Sequence, residues 1–186
     1  MPRSRLTSFE HVLLGLIFMQ PSTGYELKRR FATTAMGVYR PSSGTLYPAL
    51  DRLEGRGLLC SEEPRSADGA RPRRRYRLTE DGRQAHLEWV RQPVAPETVA
   101  ADLGLHLLRF VMMAPVLTAD AVVEFLVSLR AALAGFVASL EQSAKAVEAS
   151  GNLHAELAVE HGLAVYRASL AWADVAIERL LAGAEP

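Results

Sequence analysis

Residues 42–59 read SSGTLYPALDRLEGRGLL, and residues 71–79 read RPRRRYRLT. The first stretch predicts a short helix that begins at a serine cap and ends at Gly57. Its leucines recur at spacings of four and three, which places one apolar face against the rest of the domain. The second stretch predicts the returning strand of an arginine-rich β-hairpin, opposite a first strand over residues 58–63.

The preceding residues predict two further helices. Thr7 and Glu10 have capping-box spacing and open a helix that runs to about Met19. A second helix is expected over residues 23–33. Three of its side chains are expected to face inward: Tyr25, Leu27 and Phe31. Helices in this order followed by a basic hairpin are the layout of a winged helix-turn-helix, whose third helix enters the major groove of double-stranded DNA while the hairpin lies along the backbone.

The formally neutral net charge hides an asymmetry between the two halves of the chain. Residues 1–92 carry 16 Lys and Arg against 10 Asp and Glu, whereas residues 93–186 carry 5 against 11. Net charges of +6 and −6 predict a polyanion-binding half and a half with a different role. We therefore expect a DNA-binding domain over residues 1–92 and a helical domain over residues 93–186.

The C-terminal half is predicted to be wholly helical, with helices over residues 97–114, 119–149 and 153–181. Apolar residues of the last two helices follow spacings of four and three, as in a coiled-coil seam. Three such helices cannot cover all their apolar surface, so a second copy of the chain is the expected partner. The predicted fold class is mainly α: a winged helix-turn-helix with a two-stranded wing, plus an all-α dimerisation domain.

The sequence favours a soluble, cytoplasmic and nucleoid-associated protein with no membrane partner. A single cysteine, Cys60, excludes an internal disulfide and suits a reducing compartment; we expect it to be a small core residue. The apolar residues 12–19 follow Glu10 and His11 and precede no small-residue cleavage site, so they read as a helix and not as a signal peptide. The apolar residues 103–117 are too few to span a bilayer.

Several ordered motifs resemble those of PadR-type transcriptional regulators. They are LGLI at 14–17, PSTGYEL at 21–27, GTLYPALDRLE at 44–54 with Gly57 and Leu58, and RRYRLT at 74–79 with Gly82. The resemblance covers about residues 6–90. The second half is similar in layout to the helical dimerisation domain of the longer members of that family.

The resemblance implies a homodimer that binds a roughly palindromic operator, usually as a repressor. Many relatives release DNA when a small aromatic or drug-like molecule binds, so the resemblance also implies a small-molecule effector as a candidate partner.

The start of the third helix carries the first candidate DNA-binding residues. Its hydroxyls, backbone amides and positive dipole end suit a phosphate, and Thr45 is also placed to meet a thymine methyl or a base edge. The alternative is that the serines only cap the helix. The candidates are Ser42, Ser43, Gly44 and Thr45.

Two residues further along that helix are also candidates. The hydroxyl of Tyr47 suits a phosphate, with packing of its ring on Pro41 or Pro48 as the alternative. Arg52 suits the DNA backbone, with an ion pair to Asp51 or Glu26 as the alternative.

The arginines of the predicted wing complete the candidate DNA-binding set. Alternation along a strand places them on different faces, so they cannot all have one role. We expect Arg71 and Arg73 to bind phosphate or enter the minor groove. Arg74 and Arg75 are candidates for DNA contact as well, and one of them is expected to brace the strand.

His106 and Arg109 lie in an otherwise apolar helix, where a buried charge needs a partner. A structural network with Glu124, Glu156 or Glu160 is one reading, and contact between Arg109 and a carboxylate effector is the other. Two aromatic residues, Tyr166 and Trp172, join these two as candidate effector-binding residues, with ordinary core packing as their alternative.

The sequence favours no enzyme. It contains no Gly-rich phosphate loop, no His-Glu-x-x-His motif, no serine nucleophile signature and no cysteine pair for zinc, and we expect no cofactor. His154 and His161 share a helix face, and a metal site there is the less favoured reading. The alternative function is a winged-helix protein-interaction module without specific DNA binding.

Overall fold

The computed structural model describes residues 5–33, 41–62 and 74–183. These residues form seven helices and one small antiparallel sheet. In chain order the elements are α1 (Ser8–Met19), β1 (Ser22–Thr23), α2 (Gly24–Thr33), α3 (Ser43–Gly55), β2 (Leu59–Glu62), β3 (Arg75–Leu78), α4 (Glu80–Arg91), α5 (Pro96–Met113), α6 (Ala119–Ala149) and α7 (Leu153–Ala182).

The predicted fold class is confirmed: the chain is mainly helical, with a winged helix-turn-helix at its N-terminal end and helices after it. Capping geometry accounts for the first helix, because Thr7 Oγ1 accepts from the Glu10 amide and Glu10 Oε2 accepts from the Thr7 amide. Gly57 follows α3 with a φ of 75°, a conformation in which a side chain would be strained. Leucines 13, 27, 46 and 50 form the fully buried centre of this part.

The sheet has one strand more than the sequence predicts. Besides the predicted pair β2 and β3, the two residues of β1 pair antiparallel with β3, in the order β1-β3-β2. Tyr76 therefore lies between Ser22 on one side and Ser61 on the other. A two-residue strand carries no hydrophobic period, so sequence patterning could not predict it. The predicted hairpin tip, residues 66–70, lies outside the described residues.

The contacts divide the chain into two compact units, one of residues 1–90 with 107–116 and the other of residues 91–106 with 117–186. The boundary between domains at residues 92 and 93 stays a prediction.

The second unit is built on two long antiparallel helices, α6 and α7. The predicted range of α6 is confirmed at both ends, where Thr118 Oγ1 caps Ala121 and Gly151 turns with a φ of 66°. The expected seam of α7 faces α6 at Leu163 and Ala173, which are buried. Within the described residues, α6 alone is long and apolar enough to cross a bilayer, a test that a core helix of a soluble protein also passes.

Three expectations are wrong. Tyr25 is 58% exposed and does not face the core, because the turn of α2 buries Leu27 and Phe31 instead. Cys60 is exposed, since the alternation along β2 turns Leu59 inward and its successor outward. Helix α5 is not continuous: Asp102 has non-helical angles, φ −156° and ψ 56°, and bends it.

Candidate nucleic-acid interface

The first turn of α3 lies open on the surface. Residues 42–45 are all exposed, and a Cβ added at Gly44 would meet nothing closer than Ser42 Oγ at 3.7 Å. Ser42 is the N-cap, yet no described side chain caps the first-turn amides, and its Oγ pairs instead with Thr45 Oγ1 at 3.1 Å. The Thr45 amide donates to the Ser42 carbonyl at 3.1 Å. Three hydroxyl-bearing residues therefore lie exposed at the positive end of the helix dipole: Ser42, Ser43 and Thr45.

A cation that the sequence reasoning missed lies beside this turn. Lys28, an exposed residue of α2, donates through Nζ to Ser43 Oγ at 3.2 Å. The contact links α2 to the start of α3 and adds a positive charge where phosphate is expected. The run Lys28-Arg29-Arg30 was the signal that could have drawn attention to it.

Tyr47 packs on the N-terminus of α2. A Cβ added at Gly24 would lie 2.5 Å from Tyr47 Cε1, so the ring lies directly over this glycine. The residue stays 43% exposed. The Tyr47 ring can occupy this place only if residue 24 has no side chain. Packing therefore explains the glycine in the PSTGYEL motif at residues 21–27.

Arg52 pairs with Glu10, a partner that differs from the predicted Asp51 and Glu26. Its Nε lies 3.0 Å from Glu10 Oε1, with the arginine side chain 57% exposed and the glutamate side chain 4% exposed. Burial raises the pKa of Glu10, but the hydrogen bond from the Thr7 amide and the Arg52 guanidinium outweigh it and hold the pKa below its ordinary value. Glu10 therefore ties α3 to the capping box of α1.

Of the candidate wing arginines, the two that the structure describes diverge to opposite sides of the wing strand, as strand alternation requires. Arg74 reaches α3, where its Nη2 lies 2.5 Å from Glu54 Oε2. Arg75 reaches the start of α2, where its Nη2 lies 3.2 Å from Glu26 Oε1. Arg71 and Arg73, the two residues expected to contact DNA most directly, lie outside the described residues.

Arg109 lies in the first unit among aromatic rings. It is 5% exposed, donates to the backbone oxygen of Val90 at 3.1 Å and lies over the ring of Trp89 at 5.7 Å. Burial lowers the pKa of Arg109 to about 10, which leaves the guanidinium charged at neutral pH.

The same aromatic group contains two imidazoles. His11 stacks on Trp89 with ring centres 5.0 Å apart, and His86 packs between Phe18 and Trp89. Burial lowers the pKa of each to about 4, with His86 adding to the effect on His11. Both rings are therefore neutral at physiological pH.

The other three candidate effector residues belong to the second unit. His106 is buried and its Nε2 lies 2.9 Å from Thr98 Oγ1. Tyr166 donates to the Ala100 carbonyl at 3.4 Å and meets Phe136 edge-on at 4.6 Å, and Trp172 is half-buried on the same helix. Among the described residues, no group of three or more His, Cys, Asp or Glu could hold a metal ion.

Part of the chain matches a known protein family. Residues 13–88 match the model of the transcriptional regulator PadR-like family. Transcriptional regulator Rv3488 of Mycobacterium tuberculosis is 60% identical over 50 residues, which are 27% of this chain and 45% of that protein. Transcriptional regulator YqjI of Escherichia coli is 33% identical over 73 residues, 39% of this chain and 33% of that protein. The match thus spans less than half the length of these curated relatives.

Several solved structures align over more than nine tenths of the chain. Bacillus subtilis PadR in complex with operator DNA aligns with a TM-score of 0.46 and 17% identity, covering 95% of this chain and 99% of that one.

Proposed function

We propose that this chain is a PadR-like transcriptional regulator, since the model of that family matches residues 13–88, and that it acts by binding double-stranded DNA at a specific operator. The observation that carries the proposal is the open first turn of α3, with four exposed residues and Lys28 beside it. In a winged helix-turn-helix this end of the third helix enters the major groove. Exposed hydroxyl-bearing residues and a cation at the positive end of a helix suit phosphate and base edges.

The first experiment measures binding of the purified chain to a labelled duplex taken from upstream of its own gene, with random competitor DNA, at several salt concentrations. We expect competitor-resistant binding whose affinity falls steeply with salt, since phosphate contacts release counterions. A duplex selected from a random library serves as the second probe. Failure to prefer either duplex over random DNA would leave a protein-interaction module as the better function.

We further propose that the regulator is a homodimer. On α7, five exposed small or apolar residues recur at spacings of seven, four, three and four, which places them on one face away from Leu163 and Ala173. They are Leu157, Ala164, Ala168, Ala171 and Val175. A second copy of the same helix offers the matching seam, and a two-fold dimer reads a palindromic operator.

The dimer is tested by replacing Val175, which is 51% exposed, with glutamate. Burying that charge against a second seam is costly, so Val175→Glu should shift the protein towards the monomer in sedimentation equilibrium and weaken operator binding. Gln142→Glu, at an exposed polar position of α6, adds the same charge and should leave the dimer intact. A wild-type monomer, or a dimer indifferent to Val175→Glu, contradicts the proposed seam.

Repression and release by an effector are the remaining parts of the proposal. If the operator overlaps a promoter, the bound dimer would exclude RNA polymerase from it and so repress transcription. The buried guanidinium of Arg109 supports a carboxylate as the effector class, because such a group suits an arginine fork. Bacillus subtilis PadR has been solved with p-coumaric acid, with a TM-score of 0.43 to this chain, and that acid is the first probe for release of the operator. Binding unaffected by millimolar p-coumaric acid would exclude it as the effector.

A further inference from the structure

The arginines at the start of β3 are held by carboxylates on two different helices. Arg74 contacts Glu54 at 2.5 Å and Asp51 at 3.6 Å, both on α3. Its Nε also donates to Ser61 Oγ at 3.2 Å, and its guanidinium lies over the ring of Tyr76 at 5.6 Å. One side chain thereby joins α3 to both strands of the wing.

Arg75 makes a second attachment on the opposite side of the strand. Its Nη1 donates to the Pro21 carbonyl at 2.9 Å and its Nη2 to Glu26 at 3.2 Å. Glu26 is itself held, since its Oε2 accepts from the Thr23 amide at 2.7 Å in a capping box that opens α2. That hydrogen bond and the Arg75 guanidinium lower the pKa of Glu26, so it stays ionised.

We propose that Glu54 and Glu26 are positioning residues for operator binding: through Arg74 and Arg75 they fix the wing strand against α3 and α2. This inference rests on the proposed DNA-binding function. It assigns Arg74 and Arg75 to bracing the wing and not to phosphate contact.

Charge alone predicts that removing Glu54 or Glu26 strengthens DNA binding, whereas a positioning role predicts that it weakens operator binding. A carboxylate near the DNA-binding face repels phosphate, so its removal should strengthen binding if Arg74 serves as a phosphate contact. If the carboxylate positions the wing, its removal should weaken binding to the operator despite the more favourable charge. Arg74→Lys separates the two roles further, because lysine keeps the charge but not the forked geometry that meets two carboxylates.

The experiment compares Glu54→Gln, Glu26→Gln and Arg74→Lys with the wild type. Each is measured against a duplex selected from a random library by the wild-type chain, and against a random duplex of equal length. Amide hydrogen exchange of residues 75–78 is followed in the free protein. Glu62→Gln is the matched control, since Glu62 also lies on the wing and its one ion pair within the described residues is the 3.6 Å contact with Arg77.

We expect each of the three variants to raise the Kd for the selected duplex by about fivefold, which corresponds to about 1 kcal/mol. Binding to the random duplex should stay unchanged or tighten for the two glutamine variants. Exchange at residues 75–78 should accelerate in all three, while Glu62→Gln should resemble the wild type. Tighter binding of both duplexes by Glu54→Gln, with Arg74→Lys unchanged, would overturn the proposal.

The exchange measurement separates this proposal from the DNA-binding function. A wild type that does not distinguish the selected duplex from the random one contradicts the proposed function. In that case unchanged exchange at residues 75–78 in Glu54→Gln and Glu26→Gln also overturns the bracing role, whereas faster exchange supports it.

Discussion

At the scale of single residues, Gly82 shows how closely the start of α4 packs on the loop after α3. A Cβ at this position would lie 2.0 Å from the backbone oxygen of Leu58, which also accepts from the Thr79 amide. Backbone atoms cannot move aside as a flexible side chain can. The glycine that belongs to the family-like motif is therefore required here by packing.

We expect Gly82→Ala to lower the free energy of unfolding by about 1–3 kcal/mol, the usual cost of overpacking. Urea denaturation measures it. Gly135→Ala is the control, because among the described residues no atom outside its own stretch of α6 lies within 4 Å of the added Cβ, and it should stabilise the chain by up to about 1 kcal/mol. Equal effects of the two substitutions would contradict the packing argument.

His86 predicts a dependence of stability on pH. It is fully buried, and neither ring nitrogen has a hydrogen-bond partner among the described residues. The pKa of His86 is lowered from 6.5 to about 4 on folding, so between these values the unfolded chain binds a proton that the folded chain does not. The free energy of unfolding should therefore fall as pH decreases through this window, by about 3 kcal/mol for this residue.

The measurement is urea denaturation at pH 7.5 and at intervals down to pH 4.5. His86→Phe keeps an aromatic ring between Phe18 and Trp89 and removes one titrating group. Its pH dependence should be about half that of the wild type, because His11, whose pKa is also about 4, remains. A pH profile identical to that of the wild type would exclude His86 as a source of the acid sensitivity.

At the scale of elements, most helix boundaries follow from local chemistry. Thr7, Ser42 and Thr118 begin helices at the predicted positions, and the ends of α5 and α6 lie within one residue of the predicted ends at 114 and 149. These signals involve residues within four positions of each other, so a sequence contains them. The capping box of Thr23 and Glu26 has the same spacing and could have been predicted.

The bend in α5 was not predicted, because the apolar residues follow a helical period on both sides of Asp102 and so indicate one continuous helix. Asp102 Oδ1 accepts from the Leu105 amide at 3.0 Å and so acts as the N-cap of the second part of the helix. Thr98 and His106 meet across the bend at 2.9 Å.

Asp102→Ala should lower the free energy of unfolding by about 1 kcal/mol through loss of that cap. Asp102→Asn keeps a capping oxygen and should cost much less. Thermal unfolding followed by circular dichroism compares the two, and an alanine variant as stable as the asparagine variant would show that the cap contributes nothing.

At the scale of the whole molecule, the charge asymmetry predicts where salt sensitivity arises. Lys28→Ala removes a cation beside the first turn of α3. If Lys28 contacts a phosphate, the slope of log affinity against log salt should become shallower by about 0.9. Lys145→Ala, an equal charge change at an exposed position of α6, should leave the slope unchanged. Equal slopes for both variants would remove Lys28 from the interface.

The sequence by itself determined the fold class and most helix boundaries, because caps, periods and turn residues act over a few neighbouring positions. It also carries the motifs that match the PadR-like family model over residues 13–88. It also determined that Arg74 and Arg75 point to opposite sides of one strand. Only the tertiary structure decided which groups they meet: Glu54 lies 20 residues from Arg74, and Glu26 lies 49 residues from Arg75. The same holds for Arg52, whose partner Glu10 is 42 residues away. A charged side chain pairs with the opposite charge that folding brings close in space, and spacing along the chain does not record that distance.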